Sequence, residues 1–198
     1  MRPTVSVLTT AYNREKYIAD SIESVLGSEF EDFELLVVDD CSSDNTFELA
    51  KQYEKKDSRV RVLRNEKNLG DYPNRSYAAS LARGKYIKYL DSGDLVYPHG
   101  LKVMVGMMNE HPSAALGLSA LGFELKQHPV VLQPHESYRR HFTRVDLFGR
   151  APGSAIIRKD AFDSVGGFSG VKQVGDYELW LKLAKKFPVV TLPRDLVW

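Results

Sequence analysis

The stretch Phe33–Asp40, FELLVVDD, is the clearest indication of the fold in this sequence. Its near-continuous apolar run is typical of a strand that is buried on both faces, as the strands of parallel sheets are. The run ends in two adjacent carboxylates, Asp39 and Asp40, and a carboxylate near a core is costly unless it meets a donor or a cation. Open α/β sheets bind ligands beyond the carboxyl ends of their strands, so the stretch predicts a ligand site there.

Strand-like and helix-like segments alternate on both sides of this stretch. β-branched and alternating apolar residues predict strands, and apolar residues at helical spacing predict helices. The alternation predicts an α/β fold with a Rossmann-like, mostly parallel sheet and helices on both faces. The predicted strands are 4–10, 33–40, 59–65 and 85–91, and the predicted helices are 15–27, 44–56 and 72–84.

The pattern becomes less regular after Asp94. We expect one domain over 1–198, with a nucleotide-binding half at 1–97 and an acceptor-binding half at 98–198. The large apolar residue Trp198 at the end suits a packed terminus and a piece of a longer protein about equally. The predicted elements of this half are a helix at 98–112, a strand or strand pair at 114–125, no clear element at 126–144, a strand and short helix at 153–162, and a helix at 176–187.

Composition and charge exclude several classes of function. The chain has 27 Lys and Arg against 26 Asp and Glu, a net charge of +1, so bulk attraction to nucleic acid is not expected. Cys41 is the sole cysteine, which excludes an internal disulfide. With no signal peptide and no apolar run of about 18 residues, we expect a cytoplasmic protein. The basic and aromatic run Tyr138–Arg144 leaves peripheral contact with the cytoplasmic face of a membrane open.

A second acidic strand end strengthens the prediction of a ligand site. The stretch Tyr86–Asp94, YIKYLDSGD, ends in Asp91 and Asp94. Two carboxylates at this spacing on a turn suit a hard divalent cation, which fills its other positions with water and phosphate oxygens. Such a cation neutralises a diphosphate, while Asp40 is suited to accept a hydrogen bond from a base ring, and Arg75 to pair with a phosphate.

Asp176 follows Gly175 in a glycine-rich loop and opens a predicted helix. One interpretation is a carboxylate exposed for proton transfer. The other is a helix cap or a partner of the helix dipole, which is the commoner role of an aspartate at a helix start.

With these residues identified, the chain closely resembles the family 2 glycosyltransferases of GT-A fold over nearly its full length. The motifs occur in the order of that family: SVLTTAYNREKYIADSIESVLGS, FELLVVDDCSSDNT, RVRVLRNEKNLG, ARGKYIKYLDSGDLVYP, GSAIIRKDAFDSVGGF and GDYELWLKLA. The resemblance implies an inverting transfer, assisted by Mn²⁺ or Mg²⁺, from a nucleoside-diphosphate sugar, often a uridine diphosphate sugar. The implied acceptor is a saccharide, a lipid-linked molecule or another molecule with a hydroxyl group.

The resemblance also implies roles for particular positions. Asp176 falls where the family places its general base, and Asp91 and Asp94 fall in the metal motif, Asp91 also serving the nucleotide. Asp39 matches a structural or ribose-side position. The implied nucleotide-binding residues are Thr10, Ala11, Tyr12 and Asn13 of the first loop, Asp40 at the base edge, and Arg75 near the base or diphosphate.

Two positions depart from the family pattern. Gly93 stands where the family commonly has a third carboxylate in its metal motif, and Ser76 stands where an asparagine is frequent. Gly93 cannot ligate through a side chain and allows a turn that brings Asp94 inward, so we favour Asp94 as the metal ligand.

Other functions remain open on the same residues. A nucleotide-sugar-binding protein or a nucleotidyltransferase on the same fold is the main alternative, because a fold alone does not determine function. The first loop, TTAYNRE, lacks the glycines expected of a nucleotidyltransferase. A phospho-acceptor signalling module fits less well, because its acidic pair follows the first strand and here the pair follows the second.

Overall fold

The computed structural model describes residues 2–119 and 129–198. Its centre is an eight-stranded sheet in the order β3-β2-β1-β4-β7-β5-β8-β6. The strands are β1 (Val5–Ala11), β2 (Phe33–Asp39), β3 (Val60–Arg64), β4 (Tyr86–Tyr89), β5 (Leu116–Ser119), β6 (Val130–Leu132), β7 (Ala155–Arg158) and β8 (Val189–Leu192). The helices are α1 (Ile18–Leu26), α2 (Thr46–Glu54), α3 (Asp71–Leu81), α4 (Gly100–Glu110), α5 (Pro134–Thr143), α6 (Lys159–Ser164) and α7 (Gly175–Lys186), with a 3-10 turn at Pro152–Ser154.

The strands β1 to β4 are parallel to one another, which confirms the prediction of a mostly parallel α/β sheet. β7 runs antiparallel to both β4 and β5, and β6 runs antiparallel to β8. Ala11 at the end of β1 pairs with Asp39 at the end of β2, and Leu8 pairs with Tyr89 of β4. The carboxyl ends of these three strands therefore meet at one edge of the sheet, where the acidic motifs follow.

Helices cover both faces of the sheet. α1, α2 and α4 pack on one face, and α3, α6 and α7 pack on the other. Every residue of β2 is buried. The adjacent residues Leu35 and Leu36 of this strand point to opposite faces of the sheet and pack into the two different apolar layers. Burying such a side chain contributes roughly 1.5–3 kcal/mol, so this strand, buried on both sides, anchors the acidic turn that follows it.

Most predicted elements are present, and three expectations are corrected. The segment 126–144, which fitted no element, contains β6 and α5 in its described part. α2 begins at Thr46 rather than at 44, and the Asp44 carboxylate accepts a hydrogen bond from the Thr46 N–H at 3.0 Å. Residues 120–125 of the predicted strand pair lie outside the described residues.

The third correction concerns the end of α3, since the predicted helix extended to 84. α3 ends at Leu81, so Gly84 does not cap it. A Cβ at Gly84 would lie 2.5 Å from the Ser6 backbone nitrogen. The glycine therefore permits a close approach of the α3–β4 connection to β1.

Within the described residues, no helix is long and apolar enough to cross a membrane.

Candidate nucleotide and metal site

A cleft of about 910 Å³ opens at the edge where β1, β2 and β4 end. It brings together two acidic strand ends that are far apart in the sequence. Most of the predicted site residues line it, together with several that the sequence analysis did not select. The lining residues are Thr10, Ala11, Tyr12, Arg14, Tyr17, Asp40, Asn68, Gly70, Asp71, Asn74, Arg75, Asp91, Ser92, Gly93 and Asp94.

The last residues of β1 and the loop after it form one wall of the cleft, so two of the positions predicted for the first loop lie at the end of the strand. The Thr10 carbonyl accepts a hydrogen bond from Ser92 Oγ at 3.0 Å, which joins this wall to the turn after β4. Tyr12 is 49% exposed and presents its ring at the cleft. Asn13 does not line the cleft: it has a φ of 53°, and its Oδ1 accepts from the Ser43 N–H at 2.9 Å. Asn13 therefore holds the loop instead of facing the cavity.

Asp39 is a structural carboxylate. It is fully buried and accepts hydrogen bonds from the Ser42 N–H at 3.0 Å and from the Ser42 hydroxyl. Its Oδ2 also lies 3.4 Å from Arg64 Nε. The charge that seemed costly at the end of β2 is thus compensated within the protein.

Asp40 organises the loop that leads to α3. Its Oδ1 accepts from Asn65 Nδ2 at 2.7 Å and from the Leu69 N–H at 2.8 Å, and its Oδ2 accepts from the Gly70 N–H at 2.9 Å. The residue is only 4% exposed, yet it lines the cleft. Oδ2 retains lone-pair capacity for one more donor.

Arg75 lies in the floor of the cleft between two carboxylates. Its Nε is 2.7 Å from Asp71 Oδ1, and its Nη2 is 2.7 Å from Asp91 Oδ1. Burial alone would lower the pKa of Arg75, but Asp91 and Asp71 outweigh that effect and raise the pKa. Its Nη1 is buried and, among the described residues, has no hydrogen-bond partner. A buried N–H without a partner is costly, so this donor indicates a place for an anion or a water.

Asp91 and Asp94 lie on one tight turn. The Asp94 N–H donates to the Asp91 carbonyl at 2.8 Å, and Gly93 between them has a φ of 149°. Burial raises the pKa of Asp94, and the neighbouring Asp91 raises it further, whereas Lys88 and Arg75 oppose the shift. A carboxylate whose charge is disfavoured in this way gains most when a cation arrives.

The turn fits a divalent cation with few protein ligands. Within 2–119 and 129–198, no group of three or more His, Cys, Asp or Glu side chains is placed to hold a metal. Asp91 and Asp94 alone match the one or two carboxylates by which Mg²⁺ is usually held alongside substrate phosphates. The absence of a third carboxylate at Gly93 is therefore compatible with a site that is completed by a nucleotide.

Lys88 was missed by the sequence analysis. It lies within β4 and is fully buried, and its ammonium donates to the Gly153 carbonyl. Burial lowers the pKa of Lys88 to about 7, against the opposing influence of Asp91 and Asp94. The signal was present in the sequence, because a charged residue in the middle of an apolar strand needs a compensating environment.

Asp176 lies on α7, outside the residues that line the cleft. Its Oδ1 accepts hydrogen bonds from the Tyr72 hydroxyl at 3.2 Å and from the Tyr177 N–H at 2.8 Å. The residue before the helix is Val174, so Asp176 is not the N-cap, but it lies in the first turn of α7, where a carboxylate also suits the helix dipole. Tyr72 follows the cleft residue Asp71 in the first turn of α3. Its hydrogen bond to Asp176 therefore connects Asp176 to the edge of the cleft.

Several lining residues carried little signal in the sequence. Asn74 is buried, and its Nδ2 donates to the Val38 carbonyl at 3.2 Å, which ties α3 to β2. Asp71 holds the Arg75 guanidinium from the same helix. An i,i+4 pairing of Asp71 with Arg75 could have been read from the sequence, whereas the contact of Asn74 depends on tertiary structure.

These features define a class of protein: an open α/β fold with a cleft at the carboxyl ends of its parallel strands, at the point where the strand order reverses, which is where such folds bind ligands. Residues 6–166 match the sequence profile of glycosyl transferase family 2. The chain therefore belongs to glycosyl transferase family 2.

The relatives agree with this assignment. The chain is 39% identical over 113 residues to the putative teichuronic acid biosynthesis glycosyltransferase TuaG of Bacillus subtilis, covering 57% of this chain and 45% of TuaG. The crystal structure of S. aureus TarS 1–349 in complex with UDP-GlcNAc superposes with a TM-score of 0.79 at 24% identity, covering 96% of this chain and 56% of that one. The mannosyltransferase PcManGT from Pyrobaculum calidifontis, in complex with GDP-Man and Mn²⁺, superposes with a TM-score of 0.75 at 17% identity, covering 98% and 56%. The two structures establish the shared GT-A fold, and the chain spans about half the length of these proteins.

Proposed function

We propose that this chain transfers a sugar, with inversion, from a nucleoside-diphosphate sugar to an acceptor hydroxyl. The observation that carries the proposal is the convergence of Asp40, Arg75, Asp91 and Asp94 on one cleft at the carboxyl edge of the sheet. Carboxylates for a base edge and a cation, beside a buried guanidinium with a free N–H, match the chemistry of a nucleoside diphosphate.

The donor nucleotide occupies this cleft in our proposal. The base lies near Asp40, whose Oδ2 accepts a hydrogen bond from a ring N–H, and against the exposed ring of Tyr12. Thr10 and Ala11 form the wall beside it, and Asn13 keeps that wall in place. We infer a uridine diphosphate sugar as the donor, and the similarity in fold to TarS, which has been crystallised with UDP-GlcNAc, supports this choice.

The diphosphate lies between Arg75 and the turn after β4. The buried Nη1 of Arg75 donates to a phosphate oxygen, and Asp91 keeps the guanidinium oriented at 2.7 Å. Asp94, with Asp91, would hold Mn²⁺ or Mg²⁺, which supplies positive charge to stabilise the leaving diphosphate. The Mn²⁺ bound in PcManGT, a protein of the same fold, supports this assignment.

Asp176 acts as the general base. Its carboxylate takes the proton from the acceptor hydroxyl while the hydroxyl oxygen forms a bond to the anomeric carbon. The bond between that carbon and the diphosphate oxygen breaks on the opposite face, which inverts the configuration. The half-buried position of Asp176, held by Tyr72, supports this role over that of a plain helix cap.

The two halves of the chain have different roles in our proposal. We propose that residues 1–97 bind the nucleotide and residues 98–198 bind the acceptor within a single catalytic domain. The acceptor is a saccharide, a lipid-linked molecule or another hydroxyl compound, and no nucleic acid takes part. We place the protein in the cytoplasm, with peripheral contact at the membrane through α5, whose Phe142 is 64% exposed between the exposed Arg139 and Arg144.

A nucleotide-sugar-binding protein without transfer activity is the second interpretation. It predicts the same cleft and the same donor binding, but it assigns no chemistry to Asp176. Conversion of a labelled donor, either by transfer or by slow hydrolysis, distinguishes the two functions.

The test of the donor site is a thermal-shift screen of UDP, GDP and their sugars, each with and without Mn²⁺. A ligand that binds the folded state raises the apparent melting temperature, so a nucleotide is expected to stabilise the protein and Mn²⁺ to increase the shift. Asp94→Ala should remove the increase due to Mn²⁺. Two outcomes would contradict the proposal. Either no nucleotide raises the melting temperature, or Mn²⁺ increases the nucleotide-induced rise equally in the parent protein and in Asp94→Ala.

A further inference from the structure

Tyr72 connects the donor cleft to the proposed base. It belongs to α3, one residue after the cleft residue Asp71 and three before Arg75, and its ring is largely buried. Its hydroxyl reaches across to α7 and donates to Asp176 Oδ1 at 3.2 Å. The same hydroxyl oxygen lies 3.4 Å from the Asp176 backbone nitrogen and accepts from its N–H. The Tyr72 hydroxyl therefore forms hydrogen bonds with both the carboxylate and the backbone N–H of Asp176.

The surrounding structure is shaped to admit this ring. A Cβ at Gly175 would lie 2.8 Å from the Tyr72 ring, so a larger residue there would displace the ring. On another side the ring packs against Phe168, with 5.2 Å between ring centroids. The ring is therefore held by α7 and by the segment before it, and the position of the hydroxyl is fixed by packing.

We propose that Tyr72 is a positioning residue for Asp176, which orients the carboxylate for proton transfer from the acceptor. The inference rests on the proposed function, because it assumes that Asp176 is the base. Burial raises the pKa of Tyr72, and the charge of Asp176 adds to the rise, whereas the hydrogen bond from the Asp176 N–H opposes it, so the phenol keeps its proton and remains a donor. A donor to Oδ1 restrains the rotation of the carboxylate and leaves Oδ2 available for the acceptor.

The geometry also gives Tyr72 a link to the donor. Arg75 lies on the next turn of the same helix and holds Asp91 of the metal turn. A shift of α3 when the donor binds would therefore move the Tyr72 hydroxyl relative to Asp176. α3 thus carries both the arginine proposed to bind the diphosphate and the tyrosine that orients the proposed general base, Asp176.

The test is a double-mutant cycle on the complete chain, with hydrolysis of the nucleotide sugar that stabilises the parent protein as the assay. Tyr72→Phe keeps the ring and removes the hydroxyl. We expect the maximal rate to fall about tenfold, the scale of a lost hydrogen bond to a charged group, with donor KM and melting temperature little changed. In the Asp176→Asn background the same substitution should have no further effect, because its route of action has been removed.

The matched control is Tyr77→Phe, at a 39% exposed tyrosine on the same helix, which should leave the rate and the melting temperature unchanged. Three results would each overturn the inference: an unchanged rate in Tyr72→Phe, an equal loss in both backgrounds, or a loss seen only as a raised donor KM. If Asp176→Asn itself keeps the parent rate, the proposed function fails first, and the cycle shows that separately.

Discussion

At the scale of single residues, the acidic motifs divide into carboxylates that stabilise the fold and carboxylates that line the cleft. Asp39 is fully compensated by Ser42 and Arg64. Asp40 combines both roles, because it holds the loop before α3 and still lines the cleft. Asp94 is the opposite case, since burial raises its pKa and no described hydrogen bond compensates its carboxylate. The first prediction follows from this contrast.

Asp40→Asn should lower the free energy of unfolding by about 1–3 kcal/mol, because an amide NH₂ would then face a backbone N–H of Leu69 or Gly70 and leave it unpaired. Asp94→Asn should be neutral or stabilising, since it removes a charge that the fold disfavours. Urea unfolding of both variants measures the difference. Equal destabilisation by the two substitutions would contradict these assignments.

The same pair of variants separates base recognition from metal binding. Asp40→Asn should weaken nucleotide binding with or without Mn²⁺, because the base edge loses its acceptor. Asp94→Asn should weaken binding only when Mn²⁺ is present. Calorimetric titration with the nucleotide that stabilises the parent protein gives the four affinities, and identical behaviour of the variants under both conditions would refute the division of roles.

Lys88 gives a prediction with a defined pH range. Its pKa in the folded protein is lowered to about 7, whereas in the unfolded chain it is about 10.4. Below pH 7 both states carry the proton and the full cost of burying it is present. Between about pH 7 and 10 the unfolded chain binds a proton that the folded chain does not, so stability rises with pH. The rise is on the order of a few kcal/mol.

Lys88→Met should raise stability near pH 7 and flatten its rise between pH 7 and 9. Lys85→Met, at an exposed lysine just before the same strand, should keep the pH dependence of the parent. Urea unfolding at several pH values compares the three proteins. Parallel curves for the parent and Lys88→Met would show that the buried amine does not titrate in this range.

At the scale of elements, α3 is the part that joins the halves of the site. Its first turns carry Asp71 and Arg75 toward the cleft and Tyr72 toward α7. The opening of α7 accepts that contact because Gly175 leaves room for the ring. α3 thereby fixes the distance between the cleft and Asp176, the proposed general base.

Gly175→Ala should therefore lower the hydrolysis rate much as Tyr72→Phe does, because the new methyl group would displace the Tyr72 ring. Gly106→Ala is the comparison, since nothing lies within 4 Å of a Cβ at that exposed position in α4. There alanine should stabilise the helix by up to about 1 kcal/mol and leave the rate alone. A Gly175→Ala protein with the parent rate would mean that the ring position is not critical.

At the scale of the whole molecule, the parallel front of the sheet was predictable and its completion was not. Strands such as β2 carry their burial in local apolar runs, and the acidic residues that follow them mark the ligand edge. The antiparallel insertion of β7 between β4 and β5 depends on pairing between distant segments, which no local pattern encodes. The site divides in the same way. Asp40 and Asp94 were found from strand ends, while the contact of Tyr72 with Asp176 spans 104 residues and leaves no sequence signal.

Asp176→Asn tests most directly whether Asp176 performs proton transfer beside the cleft. The measurement is the single-turnover rate of sugar transfer, or of donor hydrolysis, with donor affinity and melting temperature recorded on the same samples. We predict a rate lower by roughly 10²-fold or more, the usual scale of general acid–base catalysis, with binding and stability preserved. A variant that binds the nucleotide sugar normally and still turns it over at the parent rate would contradict the account.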